Sequence, residues 1–156
     1  MRKQISKLTS NVQATEQAWM DLENKASVEL TSEDQAFPIE SALVGQGKQG
    51  WRAGERGVQT IRVIFDERQR LKRISLVFVE PEAQRTQEFI LKWSPDHGKS
   101  FQEIVRQQWN FSSPDATREV EDYGVELSNV TLLELTIDPD QQNGSARASL
   151  SSLRLA

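Results

Sequence analysis

The sequence predicts an all-β fold, a sandwich or jelly roll of about eight antiparallel strands behind an N-terminal α-helix. Three features carry that expectation. Apolar residues alternate with polar ones over short segments. Clusters of Pro, Asp, Asn and Gly separate those segments at regular intervals. A spacing of three and four is confined to residues 1–26. The clearest segment starts at Gln87: Phe89, Leu91 and Trp93 alternate with Glu88, Ile90 and Lys92, and the run stops at Ser94, Pro95, Asp96, His97 and Gly98. Period-two spacing turns the aromatic side into a core, and the Pro, Asp and Gly cluster returns the chain toward Phe101.

In chain order, Ile5, Leu8, Val12, Thr15, Trp19, Leu22 and Ala26 mark one seam of an amphipathic helix. The seam either lies on the chain's own domain or pairs with a second copy. Self-packing is favoured, because three heptads with Thr15 inside are at the lower limit for a coiled coil. At Ser27 the period changes. Val28 and Leu30 alternate with Glu29 and Thr31 as a first strand, which divides the chain into a helix over residues 1–26 and a domain over residues 27–156. Residues 31–34 can cap one helical turn, and Phe37, Pro38, Ile39 and Glu40 lead back to the core before Ala42, Leu43 and Val44.

A glycine-rich segment follows over residues 45–57. Gly45, Gly47 and Gly50 match the spacing of a dinucleotide fingerprint, but that fingerprint works only when a helix starts at its third glycine and presents its N-terminus to pyrophosphate. Gly54 and Gly57 follow at once, and no stable helix tolerates them, so a loop is expected.

Ile61, Val63 and Phe65 then alternate as a strand, the polar residues 66–70 read as a turn, and residues 71–79 read as a second strand with Ile74, Leu76 and Phe78 on one side. Residues 80–86 form the loop before the Gln87 segment. A strand over residues 101–109 and a loop over residues 110–116 come next. Val120, Tyr123, Val125 and Leu127 thread a charged strand, and Leu133, Leu135 and Ile137 alternate in another. Asp138, Pro139, Asp140, Asn143 and Gly144 mark a turn, and Ala148, Leu150, Leu153 and Leu155 close the chain.

Composition bounds the chemistry. The 156 residues fit one domain with a short appendage, and 27% charged against 37% hydrophobic residues fits a soluble globular chain. With no cysteine there is neither disulfide nor thiolate chemistry, and a single histidine removes most metalloenzyme schemes. A formal net charge of -4 argues against nucleic acid and anionic membrane as partners, since both require a basic face. The N-terminus lacks the apolar centre of a secretory signal, so the expected compartment is cytoplasmic.

Catalysis is not expected. His97 sits in a turn rather than between a nucleophile and a carboxylate. Glu119 and Glu121 share one face of a strand, where neighbouring carboxylates near solvent serve solubility. The basic cluster of Arg68, Arg70, Lys72 and Arg73 reads as the solvated face of a hairpin. No cofactor is expected; Asp138 and Asp140 offer oxygen ligands to calcium, but turn-capping is the simpler use of Asp there.

These segments in this order resemble the galactose-binding-like jelly roll of the discoidin or coagulation-factor C-terminal type. Gly50, Trp51 and Arg52 resemble the tryptophan after the family's first variable loop, and Gln59, Ile61, Val63 and Phe65 the strand that follows it. Ser94, Asp96, Gly98 and Phe101 resemble its serine, aspartate, glycine turn. Leu133, Leu135 and Ile137 with Ala148, Leu150 and Leu153 resemble its closing strands. The likeness covers residues 27–156. His97 is an insertion in the turn, and the terminal cysteine pair of extracellular members is missing, which points to an intracellular, bacterial-type relative.

The resemblance implies a ligand held by loops at one end of the sandwich, here residues 45–57, 80–86 and 110–116. Those loops supply Trp51, Arg52, Arg56, Arg85, Trp109 and Phe111 as candidate ligand-binding residues. Aromatic faces beside guanidinium forks suit a sugar, a carboxylate or an acidic side chain of a partner. In this fold a tryptophan like Trp51 is mostly a core plug, whereas Arg52 and Arg85 are equally suited to brace loops. The expected function is a non-catalytic module that binds carbohydrate or another polar ligand. The alternative is a protein-interaction module, self-associating as a homodimer through residues 5–26.

Overall fold

The computed structural model describes residues 19–44 and 49–156. In chain order these contain α1 (Leu22–Lys25), β1 (Ala26–Leu30), α2 (Glu40–Leu43), β2 (Trp51–Arg52), β3 (Gln59–Val79), β4 (Arg85–Ser94), β5 (Gln102–Phe111), β6 (Arg118–Asp138), β7 (Ser149–Leu150) and β8 (Ser152–Leu155). The order across the main sheet is β1, β3, β6, β4, β5. β8 also pairs with β3, and β2 pairs with β7 as a separate ribbon. All of these pairings are antiparallel, as a jelly-roll sandwich requires.

Two strands of 21 residues organise both layers. The first half of β3 lies between β1 and the second half of β6, with Ile61 opposite Leu30 on one side and Leu135 on the other. Its second half lies between β8 and the first half of β6, with Leu76 opposite Leu153 and Glu121. Between the halves the pairing slips repeatedly, at residues 64–73 of β3. Such bulges bend a strand and raise its twist, which carries one continuous pair from layer to layer.

That bend corrects the turn expected at residues 66–70. These residues stay within β3, and Asp66, Glu67, Arg68 and Arg70 are exposed along the bulged stretch. A hairpin turn and a solvent-facing bulge demand the same polar residues, so composition cannot separate them. The basic cluster is correspondingly no hairpin face. Arg73 pairs with Asp122 of β6 at 2.6 Å and Arg70 with Glu126 at 3.4 Å, while Arg62 earlier on β3 meets Glu134 at 2.9 Å.

The alternating residues meet between the layers. Ile61, Val63, Ile74, Leu76 and Phe78 of β3, Phe89 and Leu91 of β4, Leu133, Leu135 and Ile137 of β6, and Leu153 and Leu155 of β8 are all buried. Phe78 and Phe89 stack with ring centroids 5.2 Å apart. Trp93 is half-buried at the margin of this core.

The first half of β6 departs from the expected phase. Glu119, Glu121, Tyr123, Val125 and Leu127 turn inward, whereas Val120 is 54% exposed. Reading Val120 as a core position assigned the two glutamates to solvent, and Glu119 is in fact fully buried.

Of the helix expected over residues 1–26, residues 1–18 lie outside the described residues. Trp19, Met20 and Asp21 are not helical: the Met20 N–H donates to the Leu155 carbonyl at 2.7 Å, tying this segment to β8. Leu22–Lys25 form one turn, and β1 begins one residue before the expected boundary. The return of the chain to the core is α2. The Glu33 carboxylate accepts from the Ile39 N–H at 2.6 Å just ahead of it, and Ile39, Ala42 and Leu43 are buried.

Gly45 and Gly47 also lie outside the described residues. Gly50 enters β2 with φ of +70°, and a Cβ there would clash with the Leu150 carbonyl oxygen. Gly50→Ala is therefore expected to cost about 1–3 kcal/mol by backbone strain and by prising β2 from β7. A urea midpoint unchanged from the parent protein would contradict this.

Candidate functional site

At the end of the sandwich where β4 begins, the loops over residues 53–58, 80–84 and 139–148 come together. They enclose two adjoining clefts of about 470 and 420 Å³ that share Arg52, Glu80, Glu82 and Arg147. The pairing of β2 with β7 sets this arrangement. Arg52 stands opposite Ser149, and the Ala53 N–H donates to the Ala148 carbonyl at 2.9 Å, so Arg147 arrives in the same cleft as Arg52.

The wall behind the cleft is Trp51, which is fully buried. Its indole Nε1–H donates to the Ser32 carbonyl at 3.2 Å. The Ser32 hydroxyl accepts from the Gly54 and Glu55 N–H groups at 3.0 and 3.2 Å, pinning the loop after β2. Arg52 itself is exposed, with its guanidinium 5.8 Å from the centre of the half-buried Phe37 ring. Arg56 and Arg147 are also exposed, and none of these three arginines has an ion-pair partner among the described residues.

Arg85 forms the floor, with only 5% of its surface exposed. Nε donates to Glu80 Oε1 at 2.9 Å, and Nη1 to the Pro139 carbonyl at 2.8 Å and Gln87 Oε1 at 3.0 Å. The guanidinium lies 4.5 Å from the centre of the Phe111 ring. Burial opposes charge on Glu80, but Arg85 and the N–H groups of Ala83 and Glu82 outweigh it and hold the carboxyl below its ordinary range. Nη2 of Arg85 is buried with no partner among the described residues.

A polar belt runs inward from this floor. Gln87 Nε2 donates to Glu119 Oε1 at 3.0 Å, Trp109 stands opposite Gln87 across the β4–β5 pairing, and Tyr123 shares the inner face of β6 with Glu119 and Glu121. Among the described residues, the buried side-chain polar atoms lacking a partner are Arg85 Nη2, Trp109 Nε1, Glu119 Oε2 and Tyr123 Oη, and all belong to this belt. Burial pushes the Glu119 carboxyl up to about 8, with Glu121 adding to the rise through a shared hydrogen bond and its charge. With one Glu119 oxygen buried and lacking a partner, the protonated carboxyl is favoured there. Burial raises the Tyr123 phenol as well, followed by the charges of Glu121 and Glu119.

The structure thus separates the six candidate residues. Arg52 and Arg56 open on the cleft, Arg85 and Trp51 support it from within, and Phe111 is fully buried beneath Arg85. Trp109 is half-buried, edge-on to Phe111 at 6.4 Å. The loop over residues 110–116 closes on itself through a Ser112–Ala116 bridge and lines neither cleft. The loop after β6 takes its place. Arg147 and Phe37 are the residues that sequence reasoning missed. Phe37 looked like core, and nothing local marks Arg147, which reaches the site only through the two-residue β2–β7 ribbon.

The Ser94–Gly98 turn lies at the other end of β4, about 30 Å away along the strand. Ser94 Oγ donates to Asp96 Oδ1 at 2.7 Å and accepts from the Gly98 N–H at 2.8 Å. Hydrogen bonds from Ser100 and then Ser94 lower the Asp96 carboxyl to about 2. His97 adopts a left-handed φ of 60° with an exposed ring. Asp140, beside the cleft, caps its turn by accepting from the Gln142 N–H at 3.1 Å. Because Ser94 is fully buried, Ser94→Ala is expected to cost about 1–3 kcal/mol, read from thermal unfolding.

No family model matches the chain, and no curated protein matches it in sequence. Solved structures do. A pectin-binding carbohydrate-binding module superposes with a TM-score of 0.63 at 18% identity, covering 85% of this chain and 90% of that one. The family 32 module of AlyQ, in complex with 4,5-unsaturated mannuronic acid, gives 0.61 at 16% identity over 83% and 93%. The family 32 module of NanJ from Clostridium perfringens, in complex with galactose, gives 0.62 at 13% identity over 88% and 96%. The chain shares the jelly-roll β-sandwich fold of these modules.

Proposed function

We propose that the chain is a non-catalytic carbohydrate-binding module and that its sugar site is the loop-end cleft. One observation carries this reading: Arg52 and Arg147, without ion-pair partners among the described residues, line both adjoining clefts, the first beside the half-buried ring of Phe37 and the second together with Arg56. Guanidinium forks hydrogen-bond ring hydroxyls and carboxylates, and an aromatic face covers the apolar side of a sugar. Binding of pectin, a mannuronic acid and galactose by modules of this fold supports the same assignment. The buried wall of Trp51, Arg85 and Phe111 keeps the cleft rigid, so little is lost on ordering it.

A glycan array probed with the intact chain tests the proposal. Binding to at least one glycan is expected, weakened about tenfold by Arg52→Ala or Arg147→Ala, the loss of one charge-assisted contact. An array with no signal from a folded chain would refute it.

A second reading, a protein-interaction module, is favoured by a groove of about 690 Å³ whose apolar floor of Leu22, Val28, Leu30 and Leu43 is flanked by Glu23, Glu33 and Glu40. Light scattering on the intact chain separates the two: a dimer together with a blank array selects interaction, and a glycan-binding monomer selects the sugar site.

A further inference from the structure

We infer that the cleft selects an anionic glycan, one bearing carboxylate or sulfate groups, over the neutral sugar of the same backbone. This rests on the carbohydrate reading above and deepens it. The second cleft is lined by four arginines, Arg52, Arg56, Arg85 and Arg147, against two glutamates, Glu80 and Glu82. Glu80 is committed to Arg85 at 2.9 Å and to the N–H groups of Glu82 and Ala83. Glu82 is then the one uncommitted carboxylate lining this cleft against three exposed arginines, and the lining keeps a positive surplus on a chain whose formal net charge is -4.

Placement adds to charge. The Arg52 guanidinium rests against the Phe37 ring and is held without an ion-pair partner. Arg85, 95% removed from solvent and fixed by three hydrogen bonds, adds a buried positive charge beneath the cleft, while the forks open to a ligand are those of the exposed arginines. A planar fork offers two parallel N–H donors to a carboxylate or sulfate, and a buried cation is screened less by salt than a surface one. A neutral sugar uses none of that surplus. Elsewhere on β3, Arg62, Arg70 and Arg73 are already engaged by Glu134, Glu126 and Asp122, so they do not compete for an anion.

The test is equilibrium binding of the full chain to polygalacturonate, to its fully methyl-esterified form, and to a sulfated galactan, each at low and high salt. Polygalacturonate is expected to bind at least about tenfold tighter than the ester, with the gap narrowing as salt rises. Arg52→Gln and Arg147→Gln, checked for unchanged circular dichroism, should each remove most of that gap. Arg68→Gln, on an exposed arginine of the β3 bulge, should leave it intact. Equal binding of the sulfated polymer extends the selected class to any anionic glycan, and weaker binding narrows it to uronic acids; both support selection by charge. An ester that binds as tightly as the acid overturns the inference while leaving the carbohydrate reading standing. Loss of the gap in Arg68→Gln but not in Arg52→Gln or Arg147→Gln also overturns it, by placing the anion elsewhere. No binding to any polymer, with a blank glycan array, overturns both.

Discussion

Trp51→Ala is expected to destabilise the protein by about 3–5 kcal/mol, the cost of emptying a large buried aromatic site, with a further loss from its indole hydrogen bond. Trp51 is fully buried, its Nε1–H is held by the Ser32 carbonyl, and its backbone pairs with Leu150. Removing the ring undermines the β2–β7 ribbon and the loop that Ser32 pins through Gly54 and Glu55. The measurement is the urea midpoint at constant slope. Any loss of sugar binding in this variant should follow the loss of folded protein. A Trp51→Ala protein of parental stability that has lost binding would contradict the account, since it would make the indole a ligand contact instead of a wall.

The second large effect is on pH dependence. Burial, and then the neighbouring Glu121, push the Glu119 carboxyl from its ordinary 4.5 up to about 8. A raised carboxyl pKa means that the folded state keeps a proton the unfolded chain releases. Stability from this group is therefore fully present below about pH 4.5, declines between there and about pH 8, and is level above. Within that window the slope approaches about 1.4 kcal/mol per pH unit for one proton. Glu119→Gln should flatten the decline and leave the variant more stable than the parent near pH 8, because the amide stays neutral and keeps the contact to Gln87. Chemical denaturation from pH 5 to 9 reads it directly. An unaltered slope in the variant would show that Glu119 is charged throughout.

These two residues also show how far the sequence is legible. The outer architecture was readable because period-two alternation is strong where one face is dry: Ile61, Val63 and Phe65, Phe89 and Leu91, and Leu133, Leu135 and Ile137 all fall in the core as spaced. The alternation misled on β6, where the inner face carries Glu119 and Glu121 and the outer face carries Val120. A polar belt inside a sandwich inverts the usual code. It also misled at residues 66–70, where bulge and turn use one vocabulary.

The candidate site was half legible. Arg52 and Arg56 could be placed on the cleft because a resemblance supplied its location. Trp51, Arg85 and Phe111 have the residue types of a sugar site, yet they are consumed in building it. Whether a tryptophan faces water or a core depends on neighbours such as Ser32 and Leu150, distant in sequence. Arg147 is 95 residues from Arg52, and only the β2–β7 pairing joins them.

Sugar is expected to bind at the arginine-lined loop end. Titration of the isotope-labelled chain with galactose and with oligogalacturonate, following backbone amides and arginine Nε–H groups, tests it most directly. Shifts are expected to concentrate at Phe37, Arg52, Arg56, Glu82 and Arg147, with the Ser94–Gly98 turn unmoved. Saturating shifts centred on that turn or along β1 would contradict it, as would a spectrum that neither sugar disturbs.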